Sequence, residues 1–172
     1  MFSINKVQCE FFMLKIYLIF LAILSLGAMT QVSSQVIPKD FRVTLTRTEC
    51  YGTCPSYTLN IYSDGRVVFE GIAHVKKIKT HKGRISTEKI QLLLTEFENA
   101  GYFSFRDNYT NDREVCNELW TDHPSVKISF KVRGKSKTVH HYHGCKGPNV
   151  PKQLTILENK IDELANSNQW VN

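Results

Sequence analysis

From Phe41 onward the chain alternates apolar and polar side chains. Phe41, Val43 and Leu45 fall on one side, with Arg42, Thr44 and Thr46 on the other, the two-residue period of a half-buried strand. Tyr57, Leu59 and Ile61 repeat that period. Asp64-Gly65 then supplies the positive φ angles of a tight hairpin. RVVFEG (66–71) is expected to return as the next strand, and AHVKKIKTHKGRI (73–85) as a fourth, basic one. At Ser86 the period changes: Ser86 suits an N-cap, Glu88 lies in the first turn, and Ile90, Leu93, Leu94 and Phe97 follow helical spacing as far as Gly101. Residues 102–105, YFSF, lead back toward the core. After a polar stretch at 106–124, Val126, Ile128, Phe130 and Val132 alternate with Lys127, Ser129, Lys131 and Arg133. Gly134-Lys135 turns the chain into KTVHHY (137–142). Pro151 opens a second helix with Leu154, Leu157, Ile161 and Leu164 on one face, and Trp170 and Val171 close the chain. Four strands, a helix, two strands and a helix predict an α+β domain: an antiparallel sheet of about six strands with two helices on one face.

The N-terminus changes this picture by setting the compartment. Residues 16–29, IYLIFLAILSLGAM, are an uncharged apolar run behind Lys15. A bilayer span needs about 20 apolar residues, so the run reads as the hydrophobic region of a signal peptide. Small residues follow, Val32 with Ser34 or Ala28 with Thr30, and we place the cut after Ser34. Translation is expected to begin at Met1 or, more naturally, at Met13, directly ahead of Lys15. Residues 1–34 are thus a signal peptide and 35–172 a single domain, long enough for one core and not for two. Losing Lys6, Lys15 and Glu10 lowers the net charge from +6 to +5. That charge is moderate and dispersed, and it argues against nucleic acid as a partner.

Cys9 leaves with the signal peptide, and Cys50, Cys54, Cys116 and Cys145 remain. An even count in an exported chain reads as disulfides, and of the three possible pairings we favour Cys50–Cys54 with Cys116–Cys145. A redox role for Cys50 and Cys54 is the lesser reading. Three residues separate them instead of two, and strand patterns rather than a helix flank them.

The segments CYGTCPSYTLNIYSDGRVVFEG (50–71), KGRIS (82–86), AGYFSFRDNY (100–109) and TDHPSVKISF (121–130) resemble the domain-of-unknown-function 6438 family, as does the closing ID…QWV (161–171). That family consists of mostly bacterial exported proteins. The resemblance covers almost all of the mature chain. It implies an exported, single-domain protein and carries over no catalytic or ligand-binding residue.

Three other constellations hold chemistry. In HHYHGC (140–145), His141 and His143 share one strand face, a spacing suited to a metal, with Cys145, Cys116, His123 or Asp122 as further donors. Pairing of the two cysteines would remove their thiolates and leave the histidines beside a disulfide. The loop RDNYTNDREVCNELWTDHP (106–124) is long for a compact domain. It offers Asp107, Asp112, Glu114, Glu118, Asp122 and His123 as ligand or acid–base groups, although the calcium-loop spacing is absent. Its plainer reading is a solvated loop pinned by Cys116 with Trp120 packed beneath it. The basic residues Lys76, Lys77, Lys79, Lys82 and Arg84, and then Lys131, Arg133, Lys135 and Lys137, would form a cationic face if adjacent. Otherwise they guard strand edges against aggregation.

The sequence therefore points first to an exported, non-catalytic binding or structural module stapled by two disulfides. It is expected to be a monomer without a cofactor, its partner an anionic envelope surface or another exported protein. The alternative is a cell-envelope metal-binding protein or hydrolase centred on His141, His143 and the 106–124 loop. A thiol–disulfide redox protein using Cys50 and Cys54 comes third.

Overall fold

The computed structural model describes residues 36–172; the segment read as a signal peptide, residues 1–34, lies outside them. Four strands open the domain: β1 (Arg42–Arg47), β2 (Ser56–Tyr62), β3 (Arg66–Ala73) and β4 (Lys79–Arg84). Helix α1 (Thr87–Asn99) follows, then a 3₁₀ turn (Tyr102–Ser104) and two-residue strands β5 (Asn108–Tyr109) and β6 (Glu118–Leu119). Strands β7 (Ser125–Val132), β8 (Lys135–Tyr142) and β9 (Cys145–Lys146) lead to helices α2 (Lys152–Ala165) and α3 (Asn168–Val171).

The main sheet has seven strands in the order β4-β3-β2-β1-β7-β8-β5, and a separate two-stranded sheet pairs β6 with β9. The α+β architecture expected from the periodicity is present. Its six long strands pair antiparallel, while the seventh, β5, joins β8 in parallel. β5 belongs to the polar stretch, where a two-residue hook onto the sheet edge leaves no periodic trace. YFS of the YFSF segment makes the 3₁₀ turn, where Gly101 enters the left-handed region at φ 63° and redirects the chain.

Alternation places one face of the sheet in the core. Leu45 lies opposite Leu59 on β2 and Ile128 on β7, and Leu59 lies opposite Phe69 on β3. These side chains are fully buried together with Ile90, Leu93, Leu94 and Phe97 of α1 and Leu154, Leu157 and Ile161 of α2. Both helices therefore cover the same face. The opposite face is solvated and polar, with Thr44 donating to Asn60 Oδ1 (2.8 Å) and Ser129 paired with Thr138 (2.8 Å). One dry and one wet face is the ordinary economy of an antiparallel sheet.

The ends of the elements follow local chemistry. Ser86 Oγ accepts from Lys89 N and caps α1. Gly65, at φ 80°, forms the hairpin turn, and a Cβ there would come within 2.4 Å of the Ile85 carbonyl oxygen. The fourth strand is shorter than its basic stretch: residues 74–78 bend so that Lys76 and Lys77 N–H donate to Val171 and Trp170 carbonyls. β4 sits at one sheet edge, with β3, β2 and β1 between it and β7. The two basic groups consequently do not merge into one cationic face.

Both favoured disulfides are formed, Cys50–Cys54 with Cα atoms 5.5 Å apart and Cys116–Cys145 with Cα atoms 4.9 Å apart. Two such bridges suit an oxidising compartment. Among the described residues no helix is long and apolar enough to cross a membrane.

Candidate functional site: a buried glutamate between two histidines

Strand β8 alternates, so His140 faces the wet side while His141, opposite Val126 of β7, faces the core. His143 follows on the same side just past the strand, its N–H donating to Pro124 O (3.0 Å). Gly144 then passes so close to the 120s that a Cβ would lie 2.0 Å from the Trp120 carbonyl oxygen. Trp120 N–H donates to Gly144 O (2.8 Å), and Cys145 begins β9 in its bridge to Cys116. The turn that fixes His143 is thus held by a glycine, a backbone bond and a disulfide.

Helix α2 supplies the third member. Glu158 lies four residues after Leu154 and three before Ile161, so it falls on the apolar stripe that α2 turns to the sheet. It is completely buried. His141 Nδ1 donates to Oε1 at 2.7 Å, and His143 Nε2 donates to Oε2 at 2.8 Å. An ionised carboxylate buried alone costs several kcal/mol; here each oxygen accepts a short, charge-assisted bond. Burial pushes the Glu158 pKa up, but the hydrogen bonds and charge of the two histidines outweigh it, and the net direction is down. One donor atom from each of the three residues lies within 4.8 Å of the others.

The two imidazoles line an open cavity of about 300 Å³. Its other walls include His123, Lys146, Lys152 and Thr155, with no acidic side chain among the lining residues. Among the described residues His141 Nε2 has no hydrogen-bond partner. No buried side-chain nitrogen or oxygen among the described residues is unpaired, so that nitrogen faces the cavity.

Of the candidate residues, His141, His143 and His123 come together at this cavity. Cys145 is also in its wall, with its sulfur spent on the bridge. The other loop residues do local work. Asp107 pairs with Lys137 Nζ (2.6 Å), and Asp112 Oδ1 accepts from Glu114 N (2.9 Å). The Asp122 carbonyl accepts from Tyr51 N (3.3 Å). Trp120 is 52% exposed and donates its Nε1–H to Glu118 (2.9 Å); Tyr109, Val115 and Cys116 are the side chains the loop packs inward. Glu158 is the residue that periodicity passed over. The signal for it is a charge on an otherwise apolar helical stripe.

With the geometry in place, the relatives can be considered. The family described as Domain of unknown function (DUF6438) matches residues 41–165. The chain belongs to that family. The matched span contains the sheet, both disulfides, His141, His143 and Glu158. No curated protein matches the chain.

Proposed function

We propose that this family member is an exported, non-catalytic module that binds a divalent transition metal, with zinc the best fit, through His141, His143 and Glu158. The observation that carries this reading is the convergence of two imidazole nitrogens and a buried carboxylate within 4.8 Å of one another, with both histidines also lining a cavity. Two nitrogens and one oxygen form a donor set that zinc accepts, with a fourth position left for water or a further side chain. His123, on the same cavity, is a further donor that the sequence offers. The two disulfides remove thiolates from the donor set. Export is supported by the disulfides and by the short apolar run at 16–29, and N-terminal sequencing of the exported protein should begin at Gln35.

Calorimetric titration with zinc, on oxidised protein purified without chelator, should give one ion per chain. His143→Gln and Glu158→Gln should each weaken binding at least tenfold, whereas His140→Gln on the wet face should leave it unchanged. Absence of zinc binding, or zinc binding indifferent to both site variants, would end this reading.

A further inference from the structure

The cavity that the histidines line has a second character, independent of the donor triad. Lys146 and Lys152 are both in its wall, and neither pairs with a carboxylate among the described residues. Pro151, the N-cap of the 14-residue helix α2, gives no side-chain cap; Leu154 N donates to the Pro151 carbonyl (3.0 Å), and the Lys152 and Gln153 N–H groups are left without the acceptor that a serine or aspartate would provide. Pro151, Lys152 and Thr155 of that first turn line the same cavity. His141, only 4% exposed, has its unpartnered Nε2 there. A helix N-terminus carries partial positive charge and free donors, the arrangement that receives phosphate and carboxylate groups.

We infer that this cavity is a binding site for a small oxyanion, held by Lys146, Lys152 and the first turn of α2, with His141 Nε2 at its inner end. The inference shares its location with the metal reading but does not require the metal, because the lysines and the helix end attract an anion by themselves. A zinc ion on the neighbouring donors would add positive charge beside the cavity, so zinc loading should strengthen anion binding, and by linkage the anion should strengthen zinc binding equally. Lys146 also stands 5.2 Å over the Trp120 ring, which holds its side chain beside the cavity.

The test uses inorganic phosphate as the probe. Full oxidised protein is followed by ¹H–¹⁵N NMR at fixed ionic strength, with chelator and again with one equivalent of zinc. Saturable shifts are expected at Gly147, Lys152, Gln153 and Thr155, and none at the exposed basic strand around Lys79 and Lys82. Lys152→Glu and Lys146→Ala change exposed or half-exposed residues and should fold normally, each weakening phosphate at least tenfold. Shifts that never saturate, equal shifts at Lys79 and Lys82, or unchanged affinity in both lysine variants would overturn the inference. Phosphate binding by protein that takes no zinc would sink the metal reading and support this one. Zinc binding without phosphate shifts would do the reverse.

Discussion

Two carboxylates stand one helical turn apart on the sheet-facing side of α2, and the domain holds them by different chemistry. Asp162 accepts from Arg47 Nε (2.8 Å), the Tyr57 hydroxyl (2.8 Å) and Ser167 Oγ (2.7 Å). Burial works against the Arg47 charge, but the carboxylate beside it wins and raises its pKa. Burial and the same carboxylate push the Tyr57 phenol well up. Those donors are a fixed cation and two hydroxyls, none of which is a usual ligand for zinc. Glu158 is sealed more completely, yet its two donors are imidazoles that can exchange a proton for a metal, and both touch a cavity. The nature of the partner, more than the depth of burial, separates a carboxylate that fastens a helix to a sheet from one that can serve a ligand.

The sharpest way to break this contrast is to remove one donor from each cluster. His141→Ala leaves Glu158 buried with half its compensation, and urea denaturation of oxidised protein should show a loss of about 3–5 kcal/mol. Asp162→Asn keeps the shape and removes a carboxylate that retains 18% side-chain exposure, and the loss should be about 2 kcal/mol. If Asp162→Asn costs more than His141→Ala, the ranking of the two clusters is wrong.

The disulfides extend the comparison. By loop-closure entropy, replacing Cys116 and Cys145 with serine should cost about 3.5 kcal/mol, against about 2 kcal/mol for Cys50 and Cys54. The former bridge is in the cavity wall, so its loss should also weaken zinc binding; removal of the latter should not. Equal zinc affinity in both double variants would detach the site from its bridge. Asp162→Asn should likewise bind zinc as the unaltered protein does, whereas Glu158→Gln should not.

The pH dependence gives a smaller effect with a definite sign. The Glu158 pKa is lowered in the folded state, so its contribution is present above the ordinary glutamate value of 4.5 and is lost as pH falls through the folded value. The urea midpoint should therefore drop on acidification below about pH 4.5, and Glu158→Gln should flatten that limb. A limb of the same slope in the variant would show that Glu158 does not carry it. Asp40 shifts in the same direction, through backbone N–H bonds from Gly134 and Arg133, with burial opposing. Lying at the surface and only partly buried, it should change the acid limb least of all when replaced by asparagine.

Most of the scaffold was legible because it rests on period. Val43, Leu45, Leu59 and Ile61 report a strand by alternation, and Leu93, Leu94 and Phe97 report a helix by spacing. That the four cysteines form disulfides followed from an even count and an expected compartment; the count alone did not choose among the three pairings. β5 and β6 were not legible, since two residues cannot establish a period and their pairing depends on where β8 and β9 happen to lie. Two members of the candidate site, His141 and His143, declared themselves by sharing a strand face. The third did not, because Leu154, Leu157 and Ile161 satisfied the helix without it. Glu158 becomes informative only when one asks what a charge is doing on that stripe.

Cys145 borders His143 in the cavity wall, and its sulfur is tied to a residue 29 positions upstream. If the site takes zinc as proposed, this neighbourhood imposes an order of assembly. In a newly delivered, reduced chain the Cys145 thiolate and two histidines would offer zinc a softer trap than the mature one, and capture there would block the bridge. Oxidative refolding of the reduced chain should accordingly be slower in excess zinc than in chelator. On the proposed metal reading, maturation has a clock: the oxidant must arrive before the metal, and the bridge that staples the fold also decides when the site can be filled.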